Sequence, residues 1–171
     1  SIGNFTAIRE LTLSFNNFTG TVPSTISKLN KLVDLDLTTN HFGGSIPESI
    51  GNLTAITELT LLDLSSNHLK GLILESICNL TAIKYLMLDD NNFTGNVPST
   101  MGNLNNLYFL YLSFNNFECL IPDIFSNFLE LYYFSFDTNI FMSSFPYSIT
   151  TLTGLRWLEL QINFTNWSTS L

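Results

Sequence analysis

Apolar residues recur along this chain on a lattice of 24 residues. Counted from Ile8, Leu32, Leu59, Ile83, Leu107, Leu131 and Leu155, the fourth place is Leu11, Leu35, Leu62, Leu86, Leu110, Phe134 and Leu158. The sixth is Leu13, Leu37, Leu64, Leu88, Leu112, Phe136 and Leu160, with mostly polar residues on either side. Alternation of this kind predicts a short strand with one buried face in every repeat. The ninth place is Asn in all seven repeats: Asn16, Asn40, Asn67, Asn91, Asn115, Asn139 and Asn163. Phe or Leu follows at the eleventh place in six repeats (Phe18, Phe42, Leu69, Phe93, Phe117 and Phe141), with Thr165 in the last; Gly20, Gly44, Gly71 and Gly95 stand at the thirteenth, and all five prolines, Pro23, Pro47, Pro98, Pro122 and Pro146, fall at the sixteenth.

A repeat this short cannot bury its own apolar face, so successive repeats must stack. Stacking in one direction makes a parallel sheet with strands about 4.8 Å apart. The asparagine lies where the chain leaves the strand, and its amide can serve backbone groups of its own turn and of the adjacent rung. Ile26, Ile50, Ile77 and Ile149, with Leu29, Leu53, Leu80 and Leu152, are expected to pack inward from the opposite side. The interval from Leu32 to Leu59 is three residues too long, and one extra turn of 3-10 helix on the outer side would absorb it. At Leu74 the expected proline is missing.

The run Leu35-Asp36-Leu37-Thr38-Thr39-Asn40-His41-Phe42-Gly43-Gly44-Ser45-Ile46-Pro47, followed by Gly51-Asn52-Leu53-Thr54, resembles the plant-type leucine-rich repeat. The resemblance covers nearly the whole chain. It implies an α/β repeat solenoid: a curved right-handed coil of about seven rungs over residues 1–171, with a parallel sheet on the concave face and a 3-10 or irregular convex side. It also implies an extracellular setting and the binding of proteins, peptides or polysaccharides, as in receptor-kinase ectodomains and polygalacturonase inhibitors.

Composition narrows the function. Six Lys and Arg against 14 Asp and Glu give a net charge of -8, which opposes a nucleic-acid partner held by a basic stripe. The longest charge-free stretch is studded with Asn and broken by Pro98, so no membrane span is expected. No hydrolase, metalloprotease or phosphate-loop motif occurs, so no catalytic activity, metal or cofactor is expected. His41 and His68 share the tenth place on adjacent rungs and should lie close together, without the further ligands that a metal site needs. Cys78 and Cys119 are two rungs apart, about 10 Å by strand spacing, too far for a disulfide, so both should be free thiols.

Seven Asn-x-Ser/Thr sequons support secretion. Asn4, Asn52 and Asn79 fall on the convex side, Asn17 and Asn92 at the rim, and Asn166 near the C-terminus, all candidates for N-linked glycans. Asn163 belongs to the asparagine ladder and is expected to stay unmodified. The concave face should grade from acidic to aromatic. Glu10, Asp34, Asp36, Asp63, Asp89, Asp90, Asp137 and Glu159 are placed at solvent-facing strand positions, and Tyr85, Phe109, Tyr133 and Trp157 share the third place on four rungs, with Tyr111 and Phe114 nearby. An aromatic strip of this kind can anchor a ligand, or it can simply stack for stability. Two functions from different classes follow. Neither end shows a polar capping segment, and the length is a whole number of repeats once the insertion is set aside, so copies are expected to stack head to tail into a glycosylated fibre. The alternative is an excerpt of a larger ectodomain that recognises a protein, peptide or polysaccharide on its concave face.

Overall fold

The structure, a computed structural model, describes residues 1–54, 59–118, 121–140 and 146–160. Within each repeat a three-residue strand occupies the third to fifth places: β1 (Glu10–Thr12), β3 (Asp34–Asp36), β5 (Leu61–Asp63), β7 (Tyr85–Met87), β9 (Phe109–Tyr111), β11 (Tyr133–Ser135) and β12 (Trp157–Glu159). These form a seven-stranded parallel sheet in that order. Equivalent places pair throughout, as in Leu11 with Leu35 and Leu35 with Leu62. The long interval therefore leaves the sheet in register. On the convex side the 3-10 run Glu48–Thr54 has seven residues, where Ser24–Lys28 and Glu75–Asn79 have five.

A second parallel sheet, which the strand alternation does not announce, follows each asparagine. Its strands are β2 (Thr19–Thr21), β4 (His41–Gly44), β6 (His68–Gly71), β8 (Asn92–Gly95) and β10 (Asn116–Phe117). One left-handed residue per repeat makes the bend between the sheets possible. The eighth place is left-handed in Phe15, Thr39, Ser66, Asp90, Phe114 and Thr138, with φ between 50° and 55°. The turn glycine ends β4, β6 and β8 and lies within β2, with φ of 87°, 73°, 87° and 72° at Gly20, Gly44, Gly71 and Gly95.

The core is one continuous column between the sheets and the 3-10 runs, with the fourth- and sixth-place leucines buried from Leu35 to Leu112. Phe42, Phe93 and Phe117 fill the eleventh place, and the rings of Phe93 and Phe117 stack at 6.4 Å. Proline, or Leu74 in its stead, leads the chain extended into a 3-10 run, with φ and ψ of −71° and 134° at Pro23, −65° and 137° at Pro98, −64° and 139° at Pro146, and −75° and 146° at Leu74; the run Phe125–Asn127 is entered instead from Ile124, at −115° and −5°. Successive runs pack closely. A Cβ at Gly3 would stand 2.7 Å from the Thr25 carbonyl oxygen, and Gly51 meets that of Ser76 in the same way.

The asparagines hold adjacent rungs together. Asn67 donates from Nδ2 to the carbonyls of Leu64 and Ser65 in its own turn and of Leu37 in the preceding rung, at 3.0–3.2 Å. Its Oδ1 accepts the Phe42 N–H of that rung at 3.0 Å. Asn40, Asn91, Asn115 and Asn139 repeat the pattern. Asn16 is exposed and bonds only the carbonyls of Leu13 and Ser14 in its own turn. Asn163 lies outside the described residues.

Candidate ligand-binding face

In a strand whose fourth-place residue is buried, the third and fifth places face the other way, so the seven-stranded sheet presents a grid of two places on seven strands. On β1, β3 and β5 that grid is acidic. Glu10 stands opposite Asp34, and Asp36 opposite Asp63, like charges that local bonds partly offset. Asp34 accepts the Thr60 hydroxyl at 2.9 Å, Asp36 the Thr38 N–H at 3.0 Å, and Asp63 both the N–H and the hydroxyl of Ser65 at 2.9 and 2.6 Å. Burial nonetheless lifts the Asp63 carboxyl above its ordinary value, with the Ser65 bonds pulling against it and Asp36 adding to it.

From β7 onward the grid is aromatic. Tyr85 stacks on Phe109 at 5.4 Å, and Tyr111 on Tyr133 at 4.4 Å. Two tyrosines at the second place join them, Tyr108 stacking on Tyr132 at 5.1 Å and both touching Phe109. Nothing in the strand alternation singles these two out; their recurrence one residue before Phe109 and Tyr133 was the available signal. Trp157 lies in register with Tyr133 and is 57% exposed. Phe114 does not join the strip: it sits in the left-handed turn, 55% exposed.

The arrangement decides how a ligand meets these rings. Most rings stack on their neighbours along the sheet, so their faces are partly taken. A sugar ring needs a free aromatic face to stack on, whereas peptide side chains and amides can use edges and hydroxyls.

Three of the acids expected on strands lie beyond them. The strands end at the fifth place because the left-handed eighth residue turns the chain away, and this puts Asp89 and Asp137 at the seventh place and Asp90 at the eighth. Burial raises the Asp89 carboxyl to about 6, opposed by its own backbone N–H and reinforced by Asp63, Asp90 and Asp137. Burial also raises Tyr111, helped by Asp89 and Glu159, and raises Tyr133, which donates to Glu159 and feels its charge.

Elsewhere, His41 Nδ1 and His68 Nε2 stand 3.3 Å apart on β4 and β6, both side chains exposed. Among the described residues no three His, Cys, Asp or Glu side chains are grouped to hold a metal ion. Cys78 is a free, buried thiol that burial pushes up, while Cys119 lies outside the described residues. Asn4, Asn17, Asn52, Asn79 and Asn92 are all exposed, and Asn166 lies outside the described residues. No described helix is long and apolar enough to cross a membrane.

The Leucine rich repeat family model matches residues 57–117, and a second model of the same description matches residues 7–29 and 31–53. Among solved structures, PEPR1 with AtPEP1 is similar at a TM-score of 0.85 and 32% identity, over 93% of this chain and 23% of that one. The ectodomain of the Arabidopsis receptor kinase HAESA, in complex with an N-terminally extended IDA peptide hormone ligand, gives 0.78 and 31%, over 88% and 26%. A plant ice-binding protein gives 0.76 and 28%, over 86% and 49%. The chain thus spans about a quarter of the receptor structures it resembles. No curated protein matches it. Matched over more than half its length, and built from rungs with a proline-led 3-10 run and an asparagine ladder, the chain belongs to the leucine-rich repeat family, in its plant-type form.

Proposed function

We propose that this chain is a non-catalytic extracellular recognition module that holds a protein or peptide ligand on its concave sheet. The observation that carries the reading is the strip of Tyr85, Phe109, Tyr111 and Tyr133, half-exposed on consecutive rungs beside a half-face of carboxylates. The similarity to receptor ectodomains solved with peptide ligands supports it. Glycans on Asn4, Asn17, Asn52, Asn79 and Asn92 would sit on the convex side and the rim, leaving the strip clear. The test is selection of peptides from a random displayed library on the immobilised protein, followed by affinity measurements on variants. Binders that lose at least about tenfold in affinity on Tyr111→Ala or Tyr85→Ala support the reading. Binders indifferent to every concave substitution refute it.

A second reading, end-to-end stacking of copies, has one observation in its favour. Leu158 on β12 is 43% exposed, where its equivalents Leu110 and Phe134 are buried. A following rung of one longer chain would cover the same surface. Sedimentation at rising concentration separates the two readings: growth without a limiting size supports stacking, and a constant monomer removes it.

A further inference from the structure

We propose that Tyr111 and Tyr133 form a modification site, at which one-electron oxidation joins the two phenols through their ortho carbons into an intrachain dityrosine that ties two neighbouring rungs together. The coupling needs no ligand on the concave face.

Proximity is the first observation. Five of the six tyrosines sit on three consecutive rungs, as Tyr85, Tyr108, Tyr111, Tyr132 and Tyr133. Tyr111 ends β9 and Tyr133 opens β11. Register pairs Tyr133 with Phe109 and Ser135 with Tyr111, so the two tyrosines are diagonal neighbours across paired strands. Their rings stack at 4.4 Å with planes 21° apart, the closest aromatic pair among the described residues. Stacked rings ordinarily lie about 4.5–7 Å apart between centroids, so carbons of these two are already in contact. The other stacked phenols, Tyr108 and Tyr132, are wider apart at 5.1 Å.

The surroundings are the second observation. Both side chains are half-exposed on the concave side, where an oxidant reaches them. Tyr133 donates its hydroxyl hydrogen to Glu159, which accepts that proton as the electron leaves. Asp89, Asp137 and Glu159 also act on the pair through their charge. A negative field that makes a phenol hold its proton also eases removal of an electron, because it stabilises the positive charge that develops.

The step balances with hydrogen peroxide as the oxidant, acting through a haem peroxidase. Each phenol loses one electron and its hydroxyl proton. The unpaired spin of each phenoxyl spreads from Oη to the adjacent Cε carbons and to Cγ, and Cγ is blocked by Cβ. One Cε–Cε bond therefore forms. The hydrogens on the joined carbons move to the oxygens and restore both hydroxyls. Peroxide takes up the two electrons and two protons and leaves as water. Radicals on Tyr111 and Tyr133 are formed in contact, which favours coupling within the chain. Tyr147 is 80% exposed and in no ring contact with another tyrosine among the described residues, so its radical couples between chains.

The test treats the dilute, folded chain with a haem peroxidase and limiting hydrogen peroxide, then examines the monomer fraction for dityrosine fluorescence, intact mass and cross-linked peptides. The monomer is expected to lose the mass of two hydrogen atoms and to yield peptides joined at Tyr111 and Tyr133. Tyr111→Phe and Tyr133→Phe keep the stacked rings and remove the hydroxyl. Each should lower monomer dityrosine by at least about tenfold, while Tyr85→Phe and Tyr147→Phe leave it at the parent level. A bond mapped to Tyr108 and Tyr132, dityrosine confined to dimers joined through Tyr147, or parent-level coupling in Tyr111→Phe overturns the proposal.

Discussion

Each buried ladder asparagine satisfies four backbone groups that no strand of either sheet pairs. For Asn67 these are the carbonyls of Leu37, Leu64 and Ser65 and the N–H of Phe42. Asn67→Ala strands the Phe42 N–H outright, while the Leu37, Leu64 and Ser65 carbonyls keep the Asn40 amide, the Asn91 amide and the Thr39 N–H, and a loss of about 2 kcal/mol is expected by urea unfolding. Asn16→Ala should cost less than about 1 kcal/mol, since Asn16 is exposed and serves only its own turn. The ladder was legible because only a side chain with both donor and acceptor fits the role, so the residue type never varies. The left-handed eighth place was not legible: it is filled by Phe, Thr, Ser and Asp, none of which advertises positive φ as glycine does. Asp89 adds a pH dependence. Its folded carboxyl titrates near 6 and its ordinary value is 3.8, so between those values the folded state binds more protons than the unfolded state. Stability therefore falls as pH rises through that window. Asp89→Asn should remove part of the fall and stabilise the chain at pH 7 by roughly 1 kcal/mol, allowing for the solvent that still reaches the group. Thermal melts from pH 4 to 7 measure both effects, and parallel profiles for the two proteins would refute the assignment.

At the scale of the element, strands of three residues and 3-10 runs of five are too short to persist alone, and their stability comes from the neighbouring rung. Their places follow from the residues that stop them: the left-handed eighth place ends the first strand, glycine ends β4, β6 and β8 in the second sheet, and proline sets the entry to most 3-10 runs. Leu74 already holds the extended conformation that proline imposes elsewhere. Leu74→Pro should raise stability by about 0.5 kcal/mol by restricting the unfolded chain. A lower midpoint than the parent in urea would show that the Leu74 N–H or side chain matters more than its backbone angles. The second sheet escaped the sequence pattern because its strands carry His, Asn, Lys and Gly with at most one buried residue each, too little alternation to read as a strand.

Over the whole molecule, a 24-residue period repeated with the same register turns a sequence grid into a surface grid. That is why the acidic and aromatic halves of the concave face could be read from every third and fifth place. What could not be read is how neighbouring rings share their faces, because stacking depends on side-chain direction across strands rather than on spacing along one. The same limit hid Tyr108 and Tyr132. Tyr147 supplies an internal comparison, being 80% exposed outside the seven-stranded sheet. Hydroxyl-radical footprinting of the chain with and without a saturating selected peptide distinguishes the two surfaces directly. Protection of Tyr85, Tyr111, Tyr133 and Trp157 with Tyr147 unchanged is the expected result. Protection of Tyr147, with the concave rings labelled as fast as in the free chain, would contradict recognition by the concave face.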